Sequence, residues 1–125
     1  MLENTMSPFQ NKLKKLMHEY VMYAYKIVNK FPKEEIYSSR SQLTRASLPI
    51  ILNYIEGYSR RREKVQLNFY EIGYGSLSES RYIYYLALCN NWIIKNEYDR
   101  ALLLADEIGK MLWSEIVSTE KTINN

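Results

Sequence analysis

The stretch Asn96–Ile116, NEYDRALLLADEIGKMLWSEI, decides the fold. Its apolar residues Tyr98, Ala101, Leu102, Ala105, Ile108, Leu112 and Ile116 recur at three- and four-residue steps, which is the spacing of one helix face. Asn96 stands where a helix N-cap belongs, so the pattern predicts a helix over about 97–120. Such a helix has one apolar side, and the rest of the chain must bury it.

Three more segments upstream answer that need. Ser7-Pro8 has the form of an N-cap followed by proline at the first helical position. Leu13, Leu16, Met17, Tyr20, Ala24, Ile27, Val28 and Phe31 continue from it as a helical stripe, giving a helix over about 7–30 that Phe31-Pro32 stops. A second helix is expected over 34–59, with Glu34 and Glu35 favourable at its positive end. Ile36, Arg40, Leu43, Ser47, Ile50, Tyr54 and Gly57 share one face of it, while Leu48, Ile51, Leu52 and Ile55 lie on others. That helix is apolar nearly all round and has to be covered on both sides, which points to burial between copies. Pro49 should kink it or divide it into two shorter helices. A third helix over 63–92 carries Val65, Phe69, Ile72, Ser76, Ser80, Ile83, Ala87 and Asn90 along one stripe. Gly73, Ser76 and Ser80 are small at helical spacing and admit a close neighbour.

No strand-like alternation occurs, and 4 Gly and 3 Pro in 125 residues leave too few turns for a β-sandwich or barrel. The expected fold is a single all-α domain over 1–125, an antiparallel up-down-up-down four-helix bundle. Its charge is uneven: 12 basic and 6 acidic residues stand at or before Lys64, and 5 basic and 8 acidic residues follow. The lone Cys89 permits no internal disulfide and suits a reducing cytoplasm. Met1 to Met6 lack the basic start and apolar run of a signal peptide, and Leu48 to Ile55 is far short of the ~20 residues that span a bilayer. No membrane partner is expected.

Catalytic chemistry finds little to stand on. His18 is the only histidine, and Lys15 occupies the position where a di-iron Glu-x-x-His motif needs its glutamate. Cys89 has no basic neighbour in sequence to activate it and reads as a small apolar filler. Neither a metal, nor a cofactor, nor an enzymatic activity is expected. The strongest charge feature is Arg60, Arg61, Arg62 and Lys64 at the second helix junction. This cluster suits contact with RNA or DNA phosphates, with Tyr58 beside it to stack on a base, or else it simply solvates a helix end. Lys12, Lys14 and Lys15 form a weaker cluster that an up-down pair brings to the same end. Twelve of the aromatics are Tyr, and Tyr70, Tyr74, Arg81 and Tyr85 follow one edge of the third helix. A protein–protein interface is the preferred reading of that edge, making recruitment of a protein partner the alternative function.

The run from Phe31 to Gly57 carries a family resemblance. FPKEEIY, then QLTRASL, then NYIEGYSR resembles the four-helix-bundle proteins encoded within 23S rRNA intervening sequences. Phe31, Pro32, Glu35, Tyr37, Gln42, Arg45, Ala46, Ile50, Asn53, Glu56, Gly57 and Arg60 match the first part of the family pattern. Phe69, Gly75, Ser76 and Glu79 match the second part, and the likeness extends over roughly residues 10 to 120. Pro49-Ile50 stands where the pattern has Ser-Ile, and Tyr54-Ile55 stands where it has Ile-Ala.

The resemblance implies a bacterial, cytoplasmic bundle that assembles into a ring, most often a homopentamer. It also implies kinship with the accessory variability proteins of diversity-generating retroelements, which are basic bundles that bind nucleic acid and a reverse transcriptase. Arg45, Asn53 and Glu56 are polar residues on an apolar helix and need partners if buried. Glu56 has two natural ones, Arg60 four residues on or Arg45 of a neighbouring copy, while Gly75 and Ser76 let that helix approach. The expected function is a non-enzymatic homo-oligomeric bundle that binds RNA or DNA through its basic end.

Overall fold

A computed structural model describes residues 5–125 of the chain. Four helices follow one another: α1 (Pro8–Ile27), α2 (Ser39–Ser59), α3 (Glu63–Cys89) and α4 (Lys95–Asn124), with no strand among the described residues. Each helix packs on its sequence neighbours, and α1 also packs on α4, which closes a four-helix bundle. Lys30, beyond the end of α1, pairs with Glu97 at the start of α4, and Gln10 near the start of α1 bonds Glu115 near the end of α4. The two helices are therefore antiparallel.

The start of α1 forms as its sequence suggests. Ser7 Oγ accepts the Gln10 N–H at 3.1 Å while Gln10 Oε1 accepts the Ser7 N–H at 3.0 Å, a reciprocal cap with Pro8 in the first turn. The helix tightens into a 3-10 turn at Val28–Lys30, and Phe31 turns extended ahead of Pro32. The second helix starts later than expected. Lys33–Glu35 form only a 3-10 turn, and α2 begins at Ser39. Glu35 is the reason: its carboxylate accepts the Ser38 hydroxyl at 2.7 Å and the Ser39 N–H at 3.4 Å, so it caps α2 from outside. Those bonds hold the Glu35 carboxyl below the usual carboxylate range.

Pro49 does not divide α2, which runs unbroken to Ser59. Its core face is Leu43, Ala46, Ser47, Ile50, Tyr54 and Gly57, close to the stripe expected from the sequence. In α3 the expected stripe holds at Ser80, Ile83 and Ala87, and the buried face is rotated from it in the first half of the helix. Tyr70, Gly73, Leu77, Ser80, Ile83, Tyr84 and Ala87 point inward, while Val65 and Ile72 face outward. The α3 helix also ends earlier than expected, at Cys89. Asn91 adopts left-handed backbone with φ 61°, and Trp92 N–H reaches back to Ala87 O at 3.0 Å, a Schellman ending. Trp92 then packs on Phe31, ring centres 5.2 Å apart, tying the two connections at that end together. The last helix begins at Lys95, with Glu97 Oε1 accepting the Ile94 N–H at 2.9 Å, and continues past Glu120 to Asn124.

The core is built from aliphatic residues and four fully buried tyrosines, Tyr20, Tyr54, Tyr70 and Tyr84. Burying each large apolar side chain contributes roughly 1.5–3 kcal/mol. The bulky rings need small residues opposite them. Gly57 supplies one such place, because a Cβ there would stand 2.7 Å from the Tyr70 ring. Gly73 supplies another, where a Cβ would stand 3.3 Å from the Ile50 carbonyl oxygen, so α3 rides close on α2. No helix among the described residues is long and apolar enough to cross a membrane.

Candidate functional site

Two features stand out on the surface: a basic turn at one end, and the outer face of α2 and α3. The turn joins α2 to α3 through Arg60, Arg61 and Arg62. Arg60 is held in place. Its guanidinium pairs with Glu56 at 2.9 Å and lies 5.2 Å from the Phe69 ring centre, while its carbonyl accepts the Gln66 amide at 2.8 Å. Glu56 thus finds the first of its two expected partners, four residues along its own helix. Arg61, Arg62 and Lys64 are exposed and form no ion pair among the described residues. The three arginines and Val65 border a shallow hollow of about 260 Å³.

The second basic cluster is placed differently. Lys12 reaches toward α4 and pairs with Glu107 at 3.5 Å, Lys15 is exposed, and Lys14 is half-buried. The start of α1 does lie at the same end as the arginine turn, because Tyr58 Oη donates to Thr5 Oγ1 at 2.9 Å. That bond also commits Tyr58, which leaves it poorly placed to stack on a base.

The tyrosine edge of α3 is only partly free, with Tyr85 52% exposed. Tyr70 is in the core against Tyr54, ring centres 5.3 Å apart. Tyr74 packs on Trp113, Arg81 pairs with Asp106 at 2.8 Å, and Tyr85 packs on Tyr98. The edge expected to meet a protein partner is the seam between α3 and α4. Tyr70 leaves that edge for the core, while Tyr74, Arg81 and Tyr85 pack along the chain's own last helix.

The outer face of α2 and α3 has no such cover. Leu52 is 51% exposed and Ile72 is 46% exposed, with Val65 and Tyr82 also outward and Leu48 and Ile55 half-buried between them. Above these residues Gln42, Arg45 and Ala46 of α2 face Ser76, Glu79, Tyr82 and Ile83 of α3 across a groove of about 570 Å³. Arg45 and Glu79 both line it and are exposed, yet they form no ion pair with each other or with any other described residue. Asn53 has turned its amide onto its own helix, donating to Pro49 O at 2.8 Å. Gly75 faces open space with nothing within 4 Å of a Cβ built on it.

The sequence model of the family described as 23S rRNA-intervening sequence protein matches residues 10–114. The chain belongs to this family. Among curated proteins no relative matches. A crystal structure of a protein of unknown function from the S23 ribosomal protein family of Bacteroides thetaiotaomicron is similar, with a TM-score of 0.78 and 19% identity. The match covers 83% of this chain and 97% of that one, and at this identity it speaks for the helical fold alone.

Part of the set of residues that carry the likeness to the intervening-sequence family gathers in one place. Gln42, Arg45, Ala46, Ser76 and Glu79 all line the one groove, and Glu56 and Arg60 pair farther along the same helix. The structure adds a residue that the sequence did not single out. Glu115 of α4 is half-buried, accepting from Tyr54 Oη at 2.7 Å and from Gln10 Nε2 at 3.2 Å. One carboxylate thereby joins α1, α2 and α4, and burial together with Glu115 pushes the Tyr54 hydroxyl well above its usual range. The only signal in the sequence was an acid beside Ile116 on the edge of the α4 stripe. Cys89 is exposed at the end of α3 rather than filling the core, and His18 is exposed beside Glu19 and Met22. Among the described residues no three His, Cys, Asp or Glu side chains cluster as a metal site would require.

Proposed function

We propose that this protein acts by assembly and binding rather than by catalysis. In this reading it is a bacterial, cytoplasmic homo-oligomer that buries the α2–α3 face between copies, and the resemblance to its family makes a ring of five the expected form. The observation that supports it is the outward apolar surface of Leu52, Ile72, Val65 and Tyr82, where a small bundle would ordinarily present polar groups. In such a ring with bundle axes aligned, every copy brings its arginine turn to the same rim. Arg61, Arg62 and Lys64, unpaired and exposed, then form a continuous basic edge suited to RNA or DNA phosphates.

Two measurements test the reading. Light scattering on the eluted protein gives its mass, and changing Leu52 and Ile72 together to Asp should reduce that mass to one copy with helicity retained. Fluorescence anisotropy with a labelled single-stranded RNA and its DNA equivalent gives binding. Changing Arg61 and Arg62 to Glu should abolish binding and flatten its salt dependence. Unchanged affinity in that variant would reject the basic turn as the binding site. The alternative function, recruitment of a protein partner through the tyrosine edge, is the less favoured, because α4 packs along most of that edge and Tyr70 is in the core.

A further inference from the structure

The connection between α1 and α2 carries a feature that the bundle itself does not use. Tyr37 is 93% exposed, and Ile36 beside it is also outward, in a turn whose backbone is held by the bonds of Glu35 to Ser38 and Ser39. An aromatic side chain held on a braced turn with no neighbour of its own is a knob. Lys33 and Glu34 flank it, both exposed and neither ion-paired among the described residues.

The groove between α2 and α3 is the matching hole. Its volume of about 570 Å³ is ample for a tyrosine ring and the residue beside it. The side chains of Gln42, Ser76, Arg45 and Glu79 line it without a hydrogen bond or ion pair to any described residue, so it offers donors and acceptors to a phenol hydroxyl. The charges also correspond: the knob carries one unpaired Lys and one unpaired Glu, and the groove one unpaired Arg and one unpaired Glu. Knob and groove belong to the same end of the molecule. Tyr37 precedes Ser39, where α2 starts, and Gln42 opens the groove one turn later.

Such a level pairing is what a closed ring demands. A knob on one surface and a hole on another make a head-to-tail contact, and copies related by rotation about one axis meet at equal height. Knob and groove lie within about two helical turns, on the order of 11 Å, along the bundle. We propose that the Ile36–Tyr37 turn of one copy inserts into the Gln42–Arg45–Ser76–Glu79 groove of the next copy. In that contact Lys33 faces Glu79, and Glu34 faces Arg45. This inference rests on the self-association reading above and names the segment that accomplishes it.

Directed cross-linking tests the contact. Two variants in a Cys89→Ser background, one with Tyr37→Cys and the other with Gln42→Cys, are prepared separately, mixed and oxidised mildly. Both replaced side chains are exposed, and circular dichroism checks that each variant stays helical. The mixture should give a disulfide-linked pair containing one chain of each kind, while either variant alone gives none. Both substitutions in one chain should give a ladder of linked species. In the chain without new cysteines, Tyr37→Ala should weaken assembly by about tenfold or more, as loss of an inserted aromatic anchor does. An oligomer that persists with no cross-link in the mixture, or Tyr37→Cys linking to itself, overturns the insertion and leaves self-association standing. A single-copy mass for the unaltered chain overturns both.

Discussion

The hydroxyls of Tyr20 on α1 and Ser80 on α3 meet at 2.7 Å in the centre of the bundle, with both residues out of solvent. Ser80 in turn donates to the Leu77 carbonyl at 2.7 Å, which leaves Tyr20 as donor in the pair across the diagonal. This bond fixes the register of α1 against α3. Removing one partner strands the other where water cannot reach it, and that costs about 1–3 kcal/mol. Ser80→Ala should therefore lower the unfolding free energy by about that much. Tyr20→Phe with Ser80→Ala should cost less than the two single losses added together. Tyr84 supplies the control, because its buried hydroxyl has no hydrogen-bond partner among the described residues. Tyr84→Phe should be neutral or stabilising by up to ~1 kcal/mol. Urea denaturation of the four variants checks all of this.

Gly57 and Gly75 should respond in opposite directions to the same substitution. In a helix interior Gly→Ala ordinarily stabilises by about 1 kcal/mol. At Gly75 nothing stands within 4 Å of the new methyl group, so that gain should appear in full. At Gly57 the methyl would stand 2.7 Å from the Tyr70 ring and 3.0 Å from Phe69 Cβ, and Tyr70 is pinned in the core. Overpacking costs roughly 1–3 kcal/mol, which outweighs the propensity gain. Thermal melts of Gly57→Ala and Gly75→Ala should move apart from the parent, one downward and one upward.

Alkali should unfold the protein through its tyrosines. Burial pushes the hydroxyls of Tyr20, Tyr54, Tyr70 and Tyr84 far above their usual range, with Glu115 adding to the effect at Tyr54 and Tyr70. Each folded value then lies above the unfolded value of about 10. The stability these groups contribute is fully present below pH 10 and is lost as the pH rises beyond it. Spectrophotometric titration of phenolate, followed together with circular dichroism, checks this. The four core rings should ionise only with loss of helical circular dichroism. Ionisation of all twelve below that transition would contradict the core assignment.

Glu97 is the corresponding group on the acid side. Its carboxylate binds the Lys30 ammonium and accepts the Ile94 N–H, while Tyr23 donates to its backbone carbonyl at 2.9 Å. Burial works to raise its pKa, and the bonds to Lys30 and Ile94 outweigh burial and lower it. A folded value below the unfolded one means that its contribution is present above about pH 4.3 and is lost as the pH falls through the folded value. Lys30 is largely solvated, so the pair is worth roughly 1 kcal/mol or less. Glu97→Gln should cost that amount at pH 7 and little at pH 3, measured as the difference in urea midpoint.

The sequence exposed some of this structure and hid the rest for physical reasons. Ser7-Pro8 announced the start of α1 because capping is local chemistry, and the core stripe of α2 was legible because Leu43, Ile50 and Tyr54 recur at helical spacing. The Glu56–Arg60 pair followed from helix spacing alone. In the first half of α3 the aliphatic residues Val65 and Ile72 drew the stripe to the wrong side. Tyrosine suits core and surface alike, so the two buried rings of α3, Tyr70 and Tyr84, could not outvote them; the better signal was Gly73, which the close approach of α2 requires. The arginine turn was visible as a charge run. The groove was not, because it exists only where Gln42 and Arg45 of one helix come to face Ser76 and Glu79 of another.

Sedimentation equilibrium of the full chain at low micromolar concentration tests the central claim, that the uncovered α2–α3 face joins copies of this bundle. The chain alone has a mass of 14.9 kDa. The account predicts a whole multiple of that mass, five copies being the expected number, which falls to a single copy when Leu52 and Ile72 become Asp. A mass of one chain for the unaltered protein would contradict it.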